Sequence, residues 1–333
     1  MEYVVIDTES CTGRSDDGSL CSIGYAICDE NFNVLQKEDL LINPLPKRFS
    51  VGDKKNAKRT GVTFSYTVEE FRRAPRFNEI YNKVKEIFTD RTVIGFSMAN
   101  DVKYLNNACD SFNLPRIEYF FYDVQFIYQL LFPDETSVGL KTLNEKYKIE
   151  YVEHRSDEDA VGSLILLKKF LDNLGFSFDE VIKKYGIHAG ENTVDGYHIG
   201  FSDAIIQEKF GLKRSKRIQG IIFSDYIKKL PKRSCHEKVC FSYKIERSDV
   251  NFVRSLIDLI YSKEWCYTHD TDICTVYVTD EEDDKRLNYL SLKQRKKIRT
   301  LSLSEFKILV GYEKDFDYDD SKFLTAYYKT KIK

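Results

Sequence analysis

Short apolar runs alternate along the first half of the chain with segments of helical period. Tyr3-Val4-Val5-Ile6 has the length and composition of a buried strand. Leu20 to Cys28 and Val34 to Ile42 read as two more strands, and the Gly-, Ser- and Asp-rich stretch between the first two reads as a loop. The period then changes. Thr67 followed by Glu70 is a capping-box signature for a short helix, interrupted at Ala74-Pro75. Phe77, Ile80, Val84, Ile87 and Phe88 recur at helical spacing. Thr92 to Gly95 is a strand. Helices are expected over Asp101 to Phe112, from Asp123 to Leu131 with Pro133 as the stop, over Leu140 to Tyr147, and from Ser156 to Leu174.

Beyond that point Phe176 to Leu230 shows helical periodicity and no clear strand, with Gly190, Gly196, Gly200 and Gly211 marking turns. The β pattern returns at Val239 to Ile245 and Ile273 to Thr279, with helices over Asp249 to Lys263 and Ser304 to Val310. The expected class is α/β, in four parts: residues 1–173, a helical linker or small helical domain over 174–233, a second α/β domain over 234–313, and a charged tail over 314–333.

Composition narrows the function. Of 333 residues, 42 % are apolar and 31 % charged, and the formal net charge of -2 excludes a polybasic, histone-like binder. No run is long enough to span a membrane, and MEYVVIDTES lacks a basic leader, so a cytoplasmic protein without membrane partners is expected. The eight cysteines are too few for a disulfide scaffold and are expected to be reduced, mostly buried thiols. Cys235, Cys240, Cys266 and Cys274, near His236 and His269, leave zinc open, although their spacing fits no standard pattern.

The chemistry lies in three places. Asp7 and Glu9 flank Thr8 after the first apolar run, so both carboxylates point to one face. Paired carboxylates repel unless a cation lies between them, and oxygen ligands suit Mg²⁺ or Mn²⁺. Asp101 follows a strand and opens a helix. His154 precedes a helix whose first turn carries Asp159. Each feature alone has a plainer reading: a solvated strand end, a helix N-cap, an acidic helix N-terminus.

Taken in order on one α/β pattern, Asp-x-Glu, Asp and His-x4-Asp resemble the DEDDh 3′–5′ exonucleases, the group that includes the proofreading subunit of bacterial replicative DNA polymerase. Ile23-Gly24, Asn43-Pro44, Gly61-Val62-Thr63, Ala74-Pro75-Arg76-Phe77, Tyr122-Asp123 and Leu140-Lys141-Thr142-Leu143 resemble further motifs of that family. Two departures stand out: Phe96-Ser97 occupies the place of a common His-Asn, and Asn100, not Phe, precedes Asp101. The resemblance covers residues 1–173 and implies an RNase H-like domain, a central mixed sheet flanked by helices.

It also implies roles. Asp7, Glu9, Asp101 and Asp159 would hold two Mg²⁺ or Mn²⁺ ions, with Asp159 preferred to Asp157 by the spacing from His154. His154 would be the general base. Thr8 would contact the terminal nucleotide, and Phe64, Tyr66, Phe96 or Met98 would wedge against terminal bases, with core packing as the alternative. The implied reaction is stepwise hydrolysis of single-stranded DNA from its 3′ end to nucleoside 5′-monophosphates, in proofreading, replication or repair. An exoribonuclease and a catalytically inactive nucleic-acid- or protein-binding scaffold are the alternatives.

Residues from about 235 to 313 resemble a BRCT domain, with Ile298 to Leu303 and Ser304-Glu305-Phe306 as its last strand and helix start. The resemblance implies a protein partner. Lys263-Glu264-Trp265 replaces the expected Gly-Gly, which leaves a phosphopeptide pocket near Ser242 and Lys293 in doubt. Basic runs at Lys213 to Arg217, Lys228 to Arg233 and Lys293 to Arg299 are either phosphate-backbone contacts or solvated faces.

Overall fold

The computed structural model describes residues 2–12, 19–45, 49–52, 62–132 and 139–332, without the side chains of 292 and 293. Gly61 and Pro133 lie outside the described residues, as does most of the loop after Thr12. The chain divides into two units, residues 1–213 with 325–333, and residues 214–324.

The first unit is built on seven strands: β1 (Tyr3–Ser10), β2 (Leu20–Cys28), β3 (Val34–Leu41), β4 (Thr92–Gly95), β5 (Tyr119–Asp123), β7 (Gly190–Thr193) and β8 (Gly196–His198), in the order β3-β2-β1-β4-β5-β7-β8. β1 pairs antiparallel with β2 and parallel with β4, so the sheet is mixed. Strand alternation divides β1 between two cores. Val4 and Ile6 face helices α2 (Phe77–Phe88) and α3 (Ala99–Ser111), joining Tyr81, Val84, Val102 and Leu105. Tyr3 and Val5 face α4 (Val124–Leu131) and α6 (Ser156–Leu174), joining Ile127, Leu164 and Phe170. The shorter helices are α1 (Val68–Arg73), α5 (Leu140–Lys146) and α7 (Phe178–Tyr185). The capping box expected at Thr67 and Glu70 is formed and starts α1.

The first three strands, β4 and the helices of this half occupy the places read from the pattern. Residues 174–233 do not form a helical linker. β7 and β8 extend the central sheet, and β6 (Ile187–His188) pairs with β9 (Phe201–Ser202), ahead of the short α8 (Asp203–Ile206). These strands hold two to four residues of mostly Gly, His, Asn and Thr, too short and polar to show alternation. β7 is held by β5, where Gly190 lies opposite Phe121; a Cβ there would stand 2.3 Å from the Phe121 ring. The charged tail is also structured: α15 (Ser321–Lys329) is helical, and Ile332 bridges Tyr197.

The second unit holds a four-stranded sheet, all parallel, in the order β11-β10-β12-β13: β10 (Lys238–Phe241), β11 (Cys266–Tyr267), β12 (Val276–Val278) and β13 (Arg299–Leu301). One face packs on α9 (Lys216–Lys229), α11 (Val250–Ser262) and α14 (Leu303–Val310) through Phe223, Leu256, Ile260 and Phe306. α10 (Tyr243–Glu246), α12 (Lys285–Asn288) and α13 (Leu292–Arg295) complete it. α9 therefore belongs to this unit. The strand expected to run through Ile245 stops at Phe241, because Ser242 turns and caps α10. Asp320 is buried between Arg214 (2.8 Å) and Arg254 (2.8 and 2.9 Å).

The cysteines depart from expectation at one pair. Cys235 and Cys266 form a disulfide with Cα atoms 5.8 Å apart, while the other six are free and buried. Cys235 and Cys266 bond each other and Cys240 lies against Cys274, so the four do not converge as zinc ligands. Among the described residues no helix is long and apolar enough to cross a membrane.

Candidate active site

Asp7 and Glu9 lie within β1, on the face that α6 covers, rather than beyond the strand's end. The register places Gly24 of β2 opposite Asp7, and Ser22 opposite Glu9. A Cβ on Gly24 would stand 1.9 Å from the backbone carbon of Ser156. Only a glycine at this position lets the first turn of α6 rest directly on the sheet. That docking delivers Asp159: one oxygen each from Asp7, Glu9 and Asp159 all lie within 4.8 Å of one another. Three hard oxygen donors at this spacing match the ligand chemistry of Mg²⁺ or Mn²⁺.

Asp101 reaches the group from the opposite core. It is buried in the first turn of α3, and its Oδ1 accepts the backbone N–H (2.9 Å) and hydroxyl (2.7 Å) of Thr8. It stands beside the three-carboxylate group rather than within it, close enough to disfavour the charge on Asp7. Asp101 is thus a buried acid and not a helix N-cap, with Ala99 and Asn100 preceding it in the helix.

The crowding has electrostatic consequences. Burial, then Asp101, Asp159 and Glu9, push the Asp7 carboxyl well above the ordinary range. Burial pushes Asp101 up to about 7, against the Thr8 hydrogen bonds that hold it down. Asp159 is pushed up to about 7 by burial and then by Glu9, with His154 opposing. Four carboxyl groups arranged this way need protons or a divalent cation to coexist.

His154 sits in the turn before α6 with φ of 57°, a conformation unusual for a side chain with a Cβ. Its Nδ1 is 3.3 Å from Glu9 Oε1, and about one third of the side chain (35 %) is open to solvent. Its carbonyl accepts the Ser65 N–H at 3.3 Å. The Glu9 hydrogen bond raises the imidazole pKa, and burial opposes it.

The five residues expected from the motifs therefore come to one end of the sheet. The expected substrate contacts do not join them. Met98 is fully buried among Ile6, Val102 and Leu105, Phe96 is buried with Ile94 and Val124, and Phe64 packs against Phe71 and Phe49. These side chains are core, because apolar residues beside a strand end are drawn under it. The Thr8 hydroxyl is committed to Asp101. One contributor escaped the sequence reading. Asp123 caps α4 and also accepts the N–H groups of Ser97 (2.9 Å) and Met98 (3.2 Å), fixing the turn that starts α3. Its signals in the sequence, a helix N-cap and the Tyr122-Asp123 motif, do not show that it also holds this turn.

The chain is similar to known proteins over its first unit. The profile of the family described as Exonuclease matches residues 4–167. The 3'-5' exonuclease DinG of Staphylococcus epidermidis is 22 % identical over 205 residues, which is 60 % of this chain and 21 % of that protein. The chain thus spans about one fifth of the length of that curated relative. Among solved structures, Exonuclease X in complex with 5' overhanging duplex DNA superimposes with a TM-score of 0.41 at 13 % identity, covering 54 % of this chain and 98 % of that one. A full-length 3'-exonuclease gives a TM-score of 0.46 at 14 % identity, covering 61 % and 67 %.

Proposed function

We propose that this chain, whose residues 4–167 belong to the exonuclease family, hydrolyses phosphodiester bonds stepwise from the 3′ end of single-stranded DNA, releasing nucleoside 5′-monophosphates. The observation that carries the reading is the convergence of Asp7, Glu9 and Asp159 with His154 beside them. Asp7, Glu9 and Asp159, with Asp101 adjoining, would hold two Mg²⁺ or Mn²⁺ ions. Such ions, when bound, polarise the phosphoryl oxygens and acidify the attacking water.

The protein groups do the rest. With Nδ1 donating to Glu9, His154 keeps Nε2 as the acceptor that takes the proton from water. The partly exposed turn leaves the ring room to approach a bound strand end. Thr8 holds Asp101 in place through two hydrogen bonds to one oxygen, leaving Oδ2 for a cation. Gly24 sets the height of α6 above β2, and so the position of Asp159.

The 3′–5′ direction draws support from the curated relative's own description as a 3'-5' exonuclease. Proofreading, replication or repair is the setting we propose, since the motif order resembles the proofreading enzymes. We read the second unit as a BRCT-like module that binds a protein partner. What supports this is a four-stranded parallel sheet with α11 and α14 packed on one face.

The test uses DNA and RNA strands of one sequence, incubated with the protein and Mn²⁺ while released mononucleotides are identified. Deoxynucleoside 5′-monophosphates from DNA, and far less product from RNA, are expected. Product from RNA alone moves the chain to RNA trimming, and no product from either sinks the reading.

A further inference from the structure

The face of the sheet that carries Asp7 holds another acidic side chain, which none of the proposed chemistry uses. The register runs Asp7, Gly24, Asp39 straight across β1, β2 and β3, so Asp7 and Asp39 point to the same side with only glycine between them. The first turn of α6 fills the gap: the Ser156–Asp157 peptide lies on Gly24. Asp39 therefore flanks the helix start on one side as Asp7 does on the other.

A chain of hydrogen bonds fastens it there. The Ser156 hydroxyl donates to the Ser22 hydroxyl at 2.8 Å, and the Ser22 hydroxyl donates to Asp39 Oδ1. Both serines are buried. Ser22, the middle member of the chain, is also the residue opposite Glu9 on β1, so the chain passes through the strand position that faces a candidate ligand. Lys37, two residues before Asp39, reaches the same turn through Glu158 (2.5 Å) and Asp157 (3.9 Å). Arg155 holds the other side of Asp157 at 2.8 Å. Burial raises the Asp39 carboxyl pKa, with the Ser22 hydrogen bond opposing it and Asp157 adding to it.

This arrangement has a consequence for the site. Asp159 hangs from the first turn of α6 and His154 from the turn that leads into it, and nothing covalent sets where that segment sits on β2. Gly24 permits the approach without choosing a position along the strand. The Asp39–Ser22–Ser156 chain supplies the choice, because its hydrogen bonds are directional, the Ser156–Ser22 bond is buried and the Ser22–Asp39 bond is partly buried. We propose that Asp39 is a positioning residue for the reaction, locking the α6 turn through Ser22 and Ser156 so that Asp159 meets Asp7 and His154 meets Glu9. The inference rests on the exonuclease reading of those four residues.

The role requires the hydrogen-bond acceptor rather than the charge of Asp39, which sets the test. In the full chain, Asp39→Ala, Asp39→Asn, Ser156→Ala and the double variant Ser22→Ala/Asp39→Ala are compared by Mn²⁺ calorimetry and by kcat and KM on single-stranded DNA. Thermal melts select the variants that remain folded. Loss of an outer partner of a metal ligand typically costs about 10- to 100-fold in affinity or activity. Asp39→Ala and Ser156→Ala are expected to weaken Mn²⁺ binding and lower kcat by about tenfold, with KM held within about twofold. Asp39→Asn, which keeps the Oδ1 acceptor, restores most of both, and the double variant is no worse than Asp39→Ala alone.

Folded Asp39→Ala and Ser156→Ala proteins with native Mn²⁺ affinity and kcat overturn the proposal. So does an Asp39→Asn protein as impaired as Asp39→Ala, since the charge would then be what matters. Should Asp39→Ala fail to fold, Ser156→Ala and Asp39→Asn decide the matter alone. A native chain that binds Mn²⁺ and cleaves nothing contradicts the exonuclease reading, while the Mn²⁺ affinities still report on the clamp.

Discussion

Thr8 donates both its backbone N–H (2.9 Å) and its hydroxyl (2.7 Å) to one oxygen, Oδ1 of Asp101. The two residues lie 93 positions apart, and this contact ties β1 to the first turn of α3 at the point where Asp7 and Glu9 emerge on the other face. It explains how a buried acid is tolerated there, and it withdraws the Thr8 hydroxyl from the substrate.

Removing that hydroxyl has a defined cost. In metal-free protein at pH 7.5, Thr8→Val leaves a buried carboxylate short of one donor, and about 1–3 kcal/mol of stability is lost in urea unfolding. Thr8→Ser keeps the donor and most of the stability. Equal stability of Thr8→Val and native protein contradicts the assignment.

The carboxylate cluster makes the metal-free protein sensitive to pH. Asp101 and Asp159 are pushed up to about 7 in the fold, against about 3.9 in an unfolded chain. Between those values the folded state binds more protons than the unfolded state, so stability falls as pH rises. The contribution is complete below about pH 4 and is lost as pH passes about 7. Thermal melts in EDTA are therefore expected to drop from pH 5 to 8, with Mn²⁺ restoring stability most at the alkaline end. Asp101→Asn flattens the EDTA curve. A melting temperature in EDTA that is level across this window contradicts the picture.

Replacing His154 separates proton transfer from metal binding. His154→Ala is expected to lower kcat by about 10²- to 10⁴-fold while Mn²⁺ affinity measured by calorimetry is retained. A His154→Ala protein that also loses Mn²⁺ binding assigns the residue to the metal site instead.

The Cys235–Cys266 disulfide closes a loop with a sequence separation of 31. Loop-closure entropy for that length gives about 3–4 kcal/mol of stabilisation for the oxidised form. Thiol labelling in denaturant is expected to count six free cysteines before reduction and eight after. Eight before reduction, with no change in the melt on adding reductant, contradicts the pairing.

What the sequence made legible follows from how each element earns its burial. β1 opens on the apolar run Tyr3-Val4-Val5-Ile6, β2 is mostly apolar, and α2 carries Phe77, Val84 and Ile87 at helical spacing, so their patterns announce them. β5 was hidden because its strand residues run straight into the helix that Asp123 caps. β7 and β8 were hidden because Glu191-Asn192-Thr193 and Gly196-Tyr197-His198 owe their place to pairing, not to apolar content. The acidic site was legible as an order of motifs, and the structure adds what order cannot carry: the Thr8–Asp101 contact and the separation of Asp101 from the other three. Asp39 was illegible for a related reason. Within VLQKEDLL it reads as the polar side of an edge strand, and only its register with Gly24 places it under α6. Phe64, Phe96 and Met98 show the converse, since sequence proximity to a site does not separate lining from core.

The central claim is that the acidic cluster on β1, α3 and α6 removes nucleotides from a 3′ end. Its most direct test is a denaturing gel of a 5′-labelled single-stranded DNA incubated with the protein and Mn²⁺, beside Asp7→Ala and an EDTA control. The account predicts a descending ladder of labelled strands that both controls abolish. Immediate release of the label as a mononucleotide, a ladder that persists in Asp7→Ala, or an intact strand throughout would contradict it.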